Sequence, residues 1–196
     1  MRVGVVGGTG SFGQAVAKRL IDAGVEVVIG SRDPERARQA AAAIGAEGAS
    51  NDDAVRGVDL VLLAVKAEAA VETARDLRQS IGSTPVLSVA AELSFGPGGV
   101  KPTSDATSIA QRIQDELDAP VVAGLHSLAA SNLSEAPPDE DALVCGDDAV
   151  AKELALDLAG RLVSGRAVDC GPLASARALE GMTAVIVNVN KRYKAH

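Results

Sequence analysis

Three glycines near the start of the chain have the spacing that a phosphate-binding turn requires. Gly8, Gly10 and Gly13 fit the pattern G-x-G-x-x-G, directly after an apolar run at 3–6 and directly before a helical pattern that begins at Gln14. Glycine there permits a tight bend, a close approach of backbone N–H groups to a pyrophosphate, and close packing of helix on strand. The helix then directs unpaired N–H groups at the phosphates. The pattern predicts a dinucleotide-binding turn, and a purely structural glycine turn is the alternative.

The end of the second predicted strand carries the residues that distinguish NADP from NAD. The strand at 25–29 leads into Ser31 and Arg32, and Arg36 and Arg38 follow. An acidic residue here would hydrogen-bond a ribose 2′-hydroxyl and repel a 2′-phosphate, whereas a hydroxyl and a guanidinium group suit the phosphate. The sequence therefore favours NADP(H). Ordinary solvated charge is a sufficient explanation for Arg38 but not for Arg32, because Arg32 holds the discriminating position.

A helix start follows Arg32 at once. Asp33 is the expected N-cap and Pro34 occupies the first helical position. A helix N-terminus is a further feature that suits a phosphate, and we expect it to contribute to this site.

Composition and charge exclude several classes of protein. Hydrophobic residues make up 47% of the 196 residues and aromatic residues only 2%, so the core must be aliphatic. The formal net charge of −7 argues against non-specific nucleic-acid binding. Cys145 and Cys170 lack the spacing of a metal site, and we expect free thiols and no metal. No signal peptide and no run of the ~20 apolar residues that span a bilayer are evident, which predicts a cytoplasmic protein without a membrane partner.

Strands and helices alternate along the chain, which is typical of an α/β fold. We predict a Rossmann-type, doubly wound, mostly parallel sheet with helices on both faces and a small C-terminal extension. Residues 1–196 would form one NADP-binding domain, in which 119–196 complete the pocket for a second substrate and contribute a dimer contact. The predicted strands lie at 3–6, 25–29, 45–50, 58–65, 85–90, 121–125, 143–146 and 166–170.

Two further strand ends should lie beside the nicotinamide. Ligands in doubly wound sheets sit beyond the carboxyl ends of the strands, which places Val65, Lys66 and Ala67, together with 90–91, at this end of the cofactor. Residues 92–104 are rich in glycine and proline, and we interpret them as a loop that forms a lid or wall for the second substrate. Ser104 or Asp105 is then expected to cap a helix that ends at Leu117.

His126 follows the strand at 121–125 and permits two interpretations. It could act as a general base, or it could orient a loop or hydrogen-bond a ligand carbonyl. We favour the second, because the sequence offers no clear carboxylate partner.

The final helix is apolar at nearly the helical period, and it could cover the sheet or pack against a second subunit; its apolar positions are Leu179, Met182, Val185, Ile186 and Val189.

Segments spread over nearly the whole chain resemble one family, the F420-dependent NADP reductases, which pass a hydride between NADP(H) and the deazaflavin coenzyme F420. The similar segments are Gly7-Gly-Thr-Gly-Ser-Phe-Gly13, Val28-Ile-Gly-Ser-Arg32, Thr73-Ala-Arg-Asp-Leu77, Leu125-His126, Val144-Cys-Gly-Asp-Asp148, Asp169-Cys-Gly-Pro-Leu173 and Arg192-Tyr-Lys-Ala-His196. The segments at 144–148 and 169–173 are far more specific than the glycine turn.

The resemblance implies a set of binding residues. Thr9, Gly10, Ser11 and Phe12 would hold the pyrophosphate, and Ser31, Arg32 and Arg36 the 2′-phosphate. Ala67, Ala91 and Ala130 would line the nicotinamide and its ribose, and His126, Ser127 and Leu128 would meet the deazaflavin. Relatives often carry proline or a large aromatic residue where this chain has Lys66-Ala67.

The reaction implied is direct hydride transfer between nicotinamide C4 and deazaflavin C5. The cofactors supply the chemistry, so no catalytic side chain is needed, and Lys66 would steer an anionic tail of the deazaflavin.

Two alternatives remain open. One is an NADP-dependent reductase of a small imine or carbonyl, similar to a pyrroline carboxylate reductase, with His126 as proton donor. The other is a non-catalytic NADP-sensing module.

Overall fold

A computed structural model describes residues 1–103, 105–134 and 136–193 of the chain. Among these residues, eight strands form the main sheet in the order β10-β9-β8-β5-β4-β1-β2-β3, and β6 and β7 form a separate hairpin. The strands are β1 (Arg2–Val6), β2 (Glu26–Ser31), β3 (Glu47–Ser50), β4 (Leu60–Leu63), β5 (Val86–Ser88), β6 (Leu93–Gly96), β7 (Gly99–Pro102), β8 (Val121–Gly124), β9 (Ala142–Gly146) and β10 (Ala167–Asp169). The helices are α1 (Ser11–Asp22), α2 (Pro34–Ala42), α3 (Asn51–Ala54), α4 (Ala67–Ile81), α5 (Ile109–Gln114), α6 (Ala130–Leu133), α7 (Ala149–Leu162) and α8 (Ala176–Tyr193).

The central strands are buried on both faces, which explains their continuous apolar runs. Successive side chains of a strand point to opposite faces, so Val5 packs in one core cluster and Val6 in the other. Helices α1, α2 and α7 cover the first face, and α4, α5 and α8 cover the second. The predicted doubly wound α/β fold is confirmed. None of the helices in the described residues has both the length and the apolar character of a membrane span.

The sheet changes direction at one edge. Strands β3, β2, β1, β4, β5 and β8 are parallel, but β9 pairs with β8 in the antiparallel direction, and β10 runs parallel to β9. The sheet is therefore mostly parallel, as predicted, with two reversed strands at its C-terminal edge.

Two local predictions between 92 and 117 were wrong. The segment predicted as an irregular loop is largely the β6–β7 hairpin, in which Phe95 lies opposite Val100. The following helix begins at Ile109, because Ser108 and Gln111 form a reciprocal capping box, and it ends at Gln114. Ser104, one of the two caps that we expected, lies outside the described residues.

Candidate functional site

A crevice follows the carboxyl ends of the parallel strands, where the doubly wound fold binds ligands. It consists of a cleft of about 660 Å³ beside Ser31 and Arg32 and a cleft of about 680 Å³ beside Ala67 and Ala91. We call them the adenosine-side cleft and the nicotinamide-side cleft, after the parts of the cofactor that the sequence predicts there. Gly10, Lys66 and Glu68, together with 64–65, line both clefts. Because the clefts share these residues, one elongated ligand can occupy both.

The glycine turn is closely packed on one side and open on the other. Gly7 has φ +83°, so the left-handed bend lies one residue before the G-x-G-x-x-G pattern. A Cβ at Gly13 would lie 2.6 Å from the carbonyl oxygen of Gly7, which shows how closely α1 approaches the turn. A Cβ at Gly10 would meet only that same carbonyl oxygen, at 3.3 Å. Gly10 therefore leaves its backbone accessible from the crevice, as a pyrophosphate requires.

Two helix N-termini at the crevice have no side-chain cap. The N-cap of α1 is Gly10 and the N-cap of α4 is Lys66, and neither helix receives a side-chain hydrogen bond at its first N–H groups. Ser11 and Phe12, the first residues of α1, line the nicotinamide-side cleft, and Thr9 lines the adenosine-side cleft. Uncapped N–H groups and the helix dipole favour an anion here.

A cationic corner closes the adenosine side. Ser31, Arg32 and Arg36 line this cleft, and within the described residues neither arginine forms an ion pair. Arg38 instead donates to Glu35, with 2.8 Å between Nη2 and Oε2, and it does not line the cleft. The structure thus separates the arginine that stabilises its own helix from the two that face the crevice.

Asp33 contradicts the prediction that the N-terminus of α2 contributes to the phosphate site. Its Oδ1 accepts the backbone N–H groups of Glu35 and Arg36, at 3.0 and 3.4 Å. The N-terminus of α2 is therefore already capped, and its N–H groups are not free for a phosphate. The hydroxyl oxygen of Ser31 accepts the Asp33 N–H at 3.2 Å, which leaves the hydroxyl proton of Ser31 available for a ligand.

The nicotinamide-side cleft is lined mainly by small and apolar residues. Val65, Lys66, Ala67 and Ala91 lie there as predicted from the strand ends. The lining also contains Glu92, Leu93, Phe95 and Thr103, which belong to the 92–104 segment predicted as a lid or wall for the second substrate, and Val89, which was not predicted. The prediction named no single residue of that segment, because the hairpin determines which of its side chains face the cleft.

Glu92 is one of two carboxylates that line this cleft, the other being Glu68, and the charge of Glu92 is balanced by an arginine. Its Oε2 accepts from Nη2 of Arg112 at 2.8 Å and from the hydroxyl of Thr103 at 3.2 Å. Arg112 belongs to α5, so this ion pair ties the base of the hairpin to the helix beneath it.

His126 lies behind the wall of the cleft. It is 6% exposed, and its Nε2 is 3.2 Å from the carbonyl oxygen of Ala90. Because a carbonyl only accepts, Nε2 carries the proton, and Nδ1 is buried without a partner among the described residues. Burial lowers the pKa of His126 to about 4, so the ring is neutral at pH 7. This geometry suits the interpretation that His126 orients a loop rather than acts as a general base.

The other two predicted deazaflavin contacts line neither cleft, and neither does Ala130, which was predicted to line the nicotinamide and its ribose. Ser127 donates its hydroxyl to the carbonyl of Asp141 and lines a separate cleft of about 380 Å³ beside α8. Leu128 is buried in the core, and Ala130 packs against the same core cluster.

The described residues contain no group of side chains that could hold a metal ion. Cys145 and Cys170 are free, and burial raises the pKa of the Cys145 thiol to about 12, which makes it unreactive at neutral pH.

The fold and the crevice define a Rossmann-type dinucleotide-binding protein. Residues 2–92 match the family model described as NADP oxidoreductase coenzyme F420-dependent. The chain is 34% identical to the F420-dependent NADP reductase of Methanothermobacter thermautotrophicus over 209 residues, covering 98% of this chain and 90% of that relative. It belongs to the family of F420-dependent NADP reductases, which are enzymes.

Two solved structures have a similar fold. A protein of Arthrobacter sp. FB24, provisionally assigned as an F420-dependent NADP reductase, superposes with a TM-score of 0.84 at 25% identity, over 99% of this chain and 95% of that one. An imine reductase from Bacillus cereus superposes with a TM-score of 0.70 at 17% identity, over 98% of this chain and 62% of that one. At that identity the second likeness concerns the fold alone.

Proposed function

We propose that this protein transfers a hydride between NADP(H) and coenzyme F420. The observation that carries the proposal is the continuous crevice. Arginines that form no ion pair among the described residues lie at one end, uncapped helix N-termini lie where the two clefts meet, and small apolar residues lie at the other end. Family membership supplies the two redox partners.

The proposed NADP-binding residues are those that line the crevice. Thr9, Gly10, Ser11 and Phe12, next to Gly8, would hold the pyrophosphate; Ser31, Arg32 and Arg36 would hold the 2′-phosphate; Val65, Lys66, Ala67 and Ala91 would surround the nicotinamide. We assign no direct ligand contact to His126, Ser127, Leu128 or Ala130, because both clefts are lined by other residues.

The chain contributes position rather than acid–base chemistry. Hydride transfer between two bound rings requires contact at ~3–3.5 Å and the exclusion of water, and it leaves no proton for a side chain to supply at the reacting carbons. The neutral His126 behind the wall and the pairing of Glu92 with Arg112 suit such a site. Lys66, at the junction of both clefts, would steer the anionic tail of F420.

The test mixes purified protein with NADPH and oxidised F420 and follows deazaflavin absorbance. We expect the absorbance to bleach as NADPH is consumed, with a much slower reaction when NADH replaces NADPH. Bleaching that fails while NADPH reduces a cyclic imine would indicate the imine reductase alternative. Tight NADPH binding without turnover of either substrate would indicate the sensing module.

Lys66 has its own test. The Lys66→Ala variant should raise the KM for F420, and the increase should shrink at high salt because exposed charges are screened. An F420 KM that does not change at either salt concentration would remove this role.

We also propose that the protein is a homodimer formed through α8, within the 119–196 part of the chain. Val185, Val189 and Tyr193 are 61%, 46% and 70% exposed on this helix. Apolar side chains at this spacing form one stripe, and such stripes commonly pack against a partner. Sedimentation should give about twice the 19.8 kDa of one chain, and Val185→Lys should shift the protein to the monomer mass. A wild-type protein that sediments as a monomer contradicts the proposal.

A further inference from the structure

The β6–β7 hairpin is fixed to α8 by a side chain that makes the two backbone hydrogen bonds a neighbouring strand would make. Asn188 accepts the backbone N–H of Val100 at 2.8 Å through Oδ1, and it donates to the carbonyl of the same residue at 2.7 Å through Nδ2. Gly99 has φ +99°, and a Cβ there would lie 2.6 Å from Asn188 Oδ1. An isolated two-stranded hairpin is marginally stable, so this pairing supplies support that the hairpin lacks by itself.

Other contacts hold the base of the hairpin. Arg177 of α8 donates to the backbone carbonyls of Thr103 and Asp105, the latter at 2.9 Å. Val100 is 6% exposed, so one side of β7 is packed against the body of the protein. The ion pair between Glu92 and Arg112 adds an attachment to α5. With α5 and α8 both attached, the hairpin is a positioned wall of the crevice rather than a free loop.

This wall presents an aromatic ring to the nicotinamide-side cleft. Phe95 lines that cleft and is 73% exposed, the largest exposure among the exposed large apolar side chains of the described residues. The chain has only two phenylalanines, and the other, Phe12, lines the same cleft from the glycine turn. A large ring that is exposed on an attached element has apolar area left to bury, and aromatic faces favour offset stacking on other planar rings.

We propose that Phe95 is a specificity residue for the second substrate, and that its ring packs against the planar deazaflavin of F420 while α8 holds the hairpin through Asn188. This inference rests on the proposed function and goes beyond it, because it assigns F420 recognition to a hairpin side chain. Phe95 takes no part in the transfer of the hydride; it restricts where the second ring lies.

Steady-state kinetics of three variants test the assignment. Phe95→Ala should raise the KM for F420 about fivefold and leave the KM for NADPH within about twofold, since aromatic stacking contributes ~0.5–1.5 kcal/mol and 1.4 kcal/mol corresponds to tenfold. Phe95→Tyr, which keeps the ring, should restore the wild-type value. Val150→Ala is the matched control, because Val150 is also exposed, at 67%, but lies at the start of α7 and lines neither cleft.

A fourth variant tests the attachment to α8. Asn188→Ala should raise the same F420 KM without affecting NADPH binding, and its effect should not add fully to that of Phe95→Ala, because both act through one hairpin. Circular dichroism and thermal unfolding establish that each variant is folded before its kinetics are compared.

The outcomes separate this inference from the proposed function. If wild-type protein does not bleach F420 with NADPH, the proposed function fails, and this inference fails with it. If wild-type protein turns over but Phe95→Ala keeps the wild-type KM for F420, the inference alone is overturned. An equal rise in the KM for NADPH would also overturn it, because Phe95 would then act on the whole crevice. A rise confined to F420, reversed in Phe95→Tyr, supports the assignment.

Discussion

Replacing Arg32 with alanine removes one of the two guanidinium groups of the adenosine-side cleft that form no ion pair with the described residues. A hydrogen bond to a charged group contributes ~1.5–3 kcal/mol. Arg32 is exposed, so solvent screens its interaction with a phosphate and the lower end of that range applies. Since 1.4 kcal/mol corresponds to tenfold, kcat/KM for NADPH should fall about tenfold in Arg32→Ala. NADH lacks the 2′-phosphate, and its kcat/KM should stay within about twofold of wild type.

The assay measures kcat/KM for both nucleotides at saturating F420 and at two salt concentrations. Arg38→Ala is the matched control, because this arginine lies only six positions beyond Arg32, on α2, but pairs with Glu35 and does not line the cleft. It should keep the wild-type preference for NADPH. Arg36→Ala should act in the same direction as Arg32→Ala, and high salt should reduce the preference of the wild-type enzyme.

Two results would refute this reasoning. One is an equal loss of NADPH activity in Arg32→Ala and Arg38→Ala, which would mean that general surface charge rather than a local site attracts the cofactor. The other is an equal loss for NADPH and NADH in Arg32→Ala, which would place the guanidinium away from the 2′-phosphate.

Three further predictions concern stability. Gly13→Ala should lower the free energy of unfolding by ~1–3 kcal/mol, because the new Cβ would lie 2.6 Å from the carbonyl oxygen of Gly7; Gly160→Ala, whose Cβ would be 3.9 Å from its nearest neighbour, should be neutral or stabilising by up to ~1 kcal/mol, and thermal unfolding distinguishes the two. Burial lowers the pKa of His126 to about 4 in the folded protein, whereas the unfolded chain has the ordinary value of 6.5. The free energy of unfolding is therefore complete with respect to this group above pH 6.5, and ~3 kcal/mol of it is lost as the pH falls towards 4. Urea titrations should show that stability depends less on pH over this range in His126→Gln, and an equal pH dependence in both proteins would contradict the lowered pKa. Glu180 is buried and accepts the first two N–H groups of α5 at 3.1 and 3.2 Å; Glu180→Gln should leave one N–H unsatisfied and cost ~1–3 kcal/mol in chemical denaturation, and wild-type stability in that variant would show that the carboxylate is dispensable.

Much of the fold follows from local patterns. The apolar run at 3–6 predicted a strand, and the run at 58–65 predicted a buried parallel strand, because such a strand is covered on both faces and needs no alternation. The hairpin at 93–102 was not predicted from its glycine and proline content, since its stability depends on Asn188, 88 positions beyond Val100 in the chain. The capping box of Ser108 and Gln111 is a local sequence pattern, but Ser104 and Asp105 are also typical N-cap residues, and the sequence does not decide between them.

The sequence by itself determined the phosphate side of the candidate site. Glycine spacing and the residues just after β2 act through backbone geometry and charge within a few positions, so composition and order were sufficient to select Gly10 and Arg32. The pairing of Arg38 with Glu35 is local as well, because the two residues lie three positions apart on α2. Only the tertiary structure decided the position of His126. Leu125 adopts φ +65° immediately before it, and the imidazole meets the carbonyl of Ala90 from a neighbouring strand end. Contacts between residues far apart in the chain depend on how the strands are arranged in space, and no local pattern of residues encodes that arrangement.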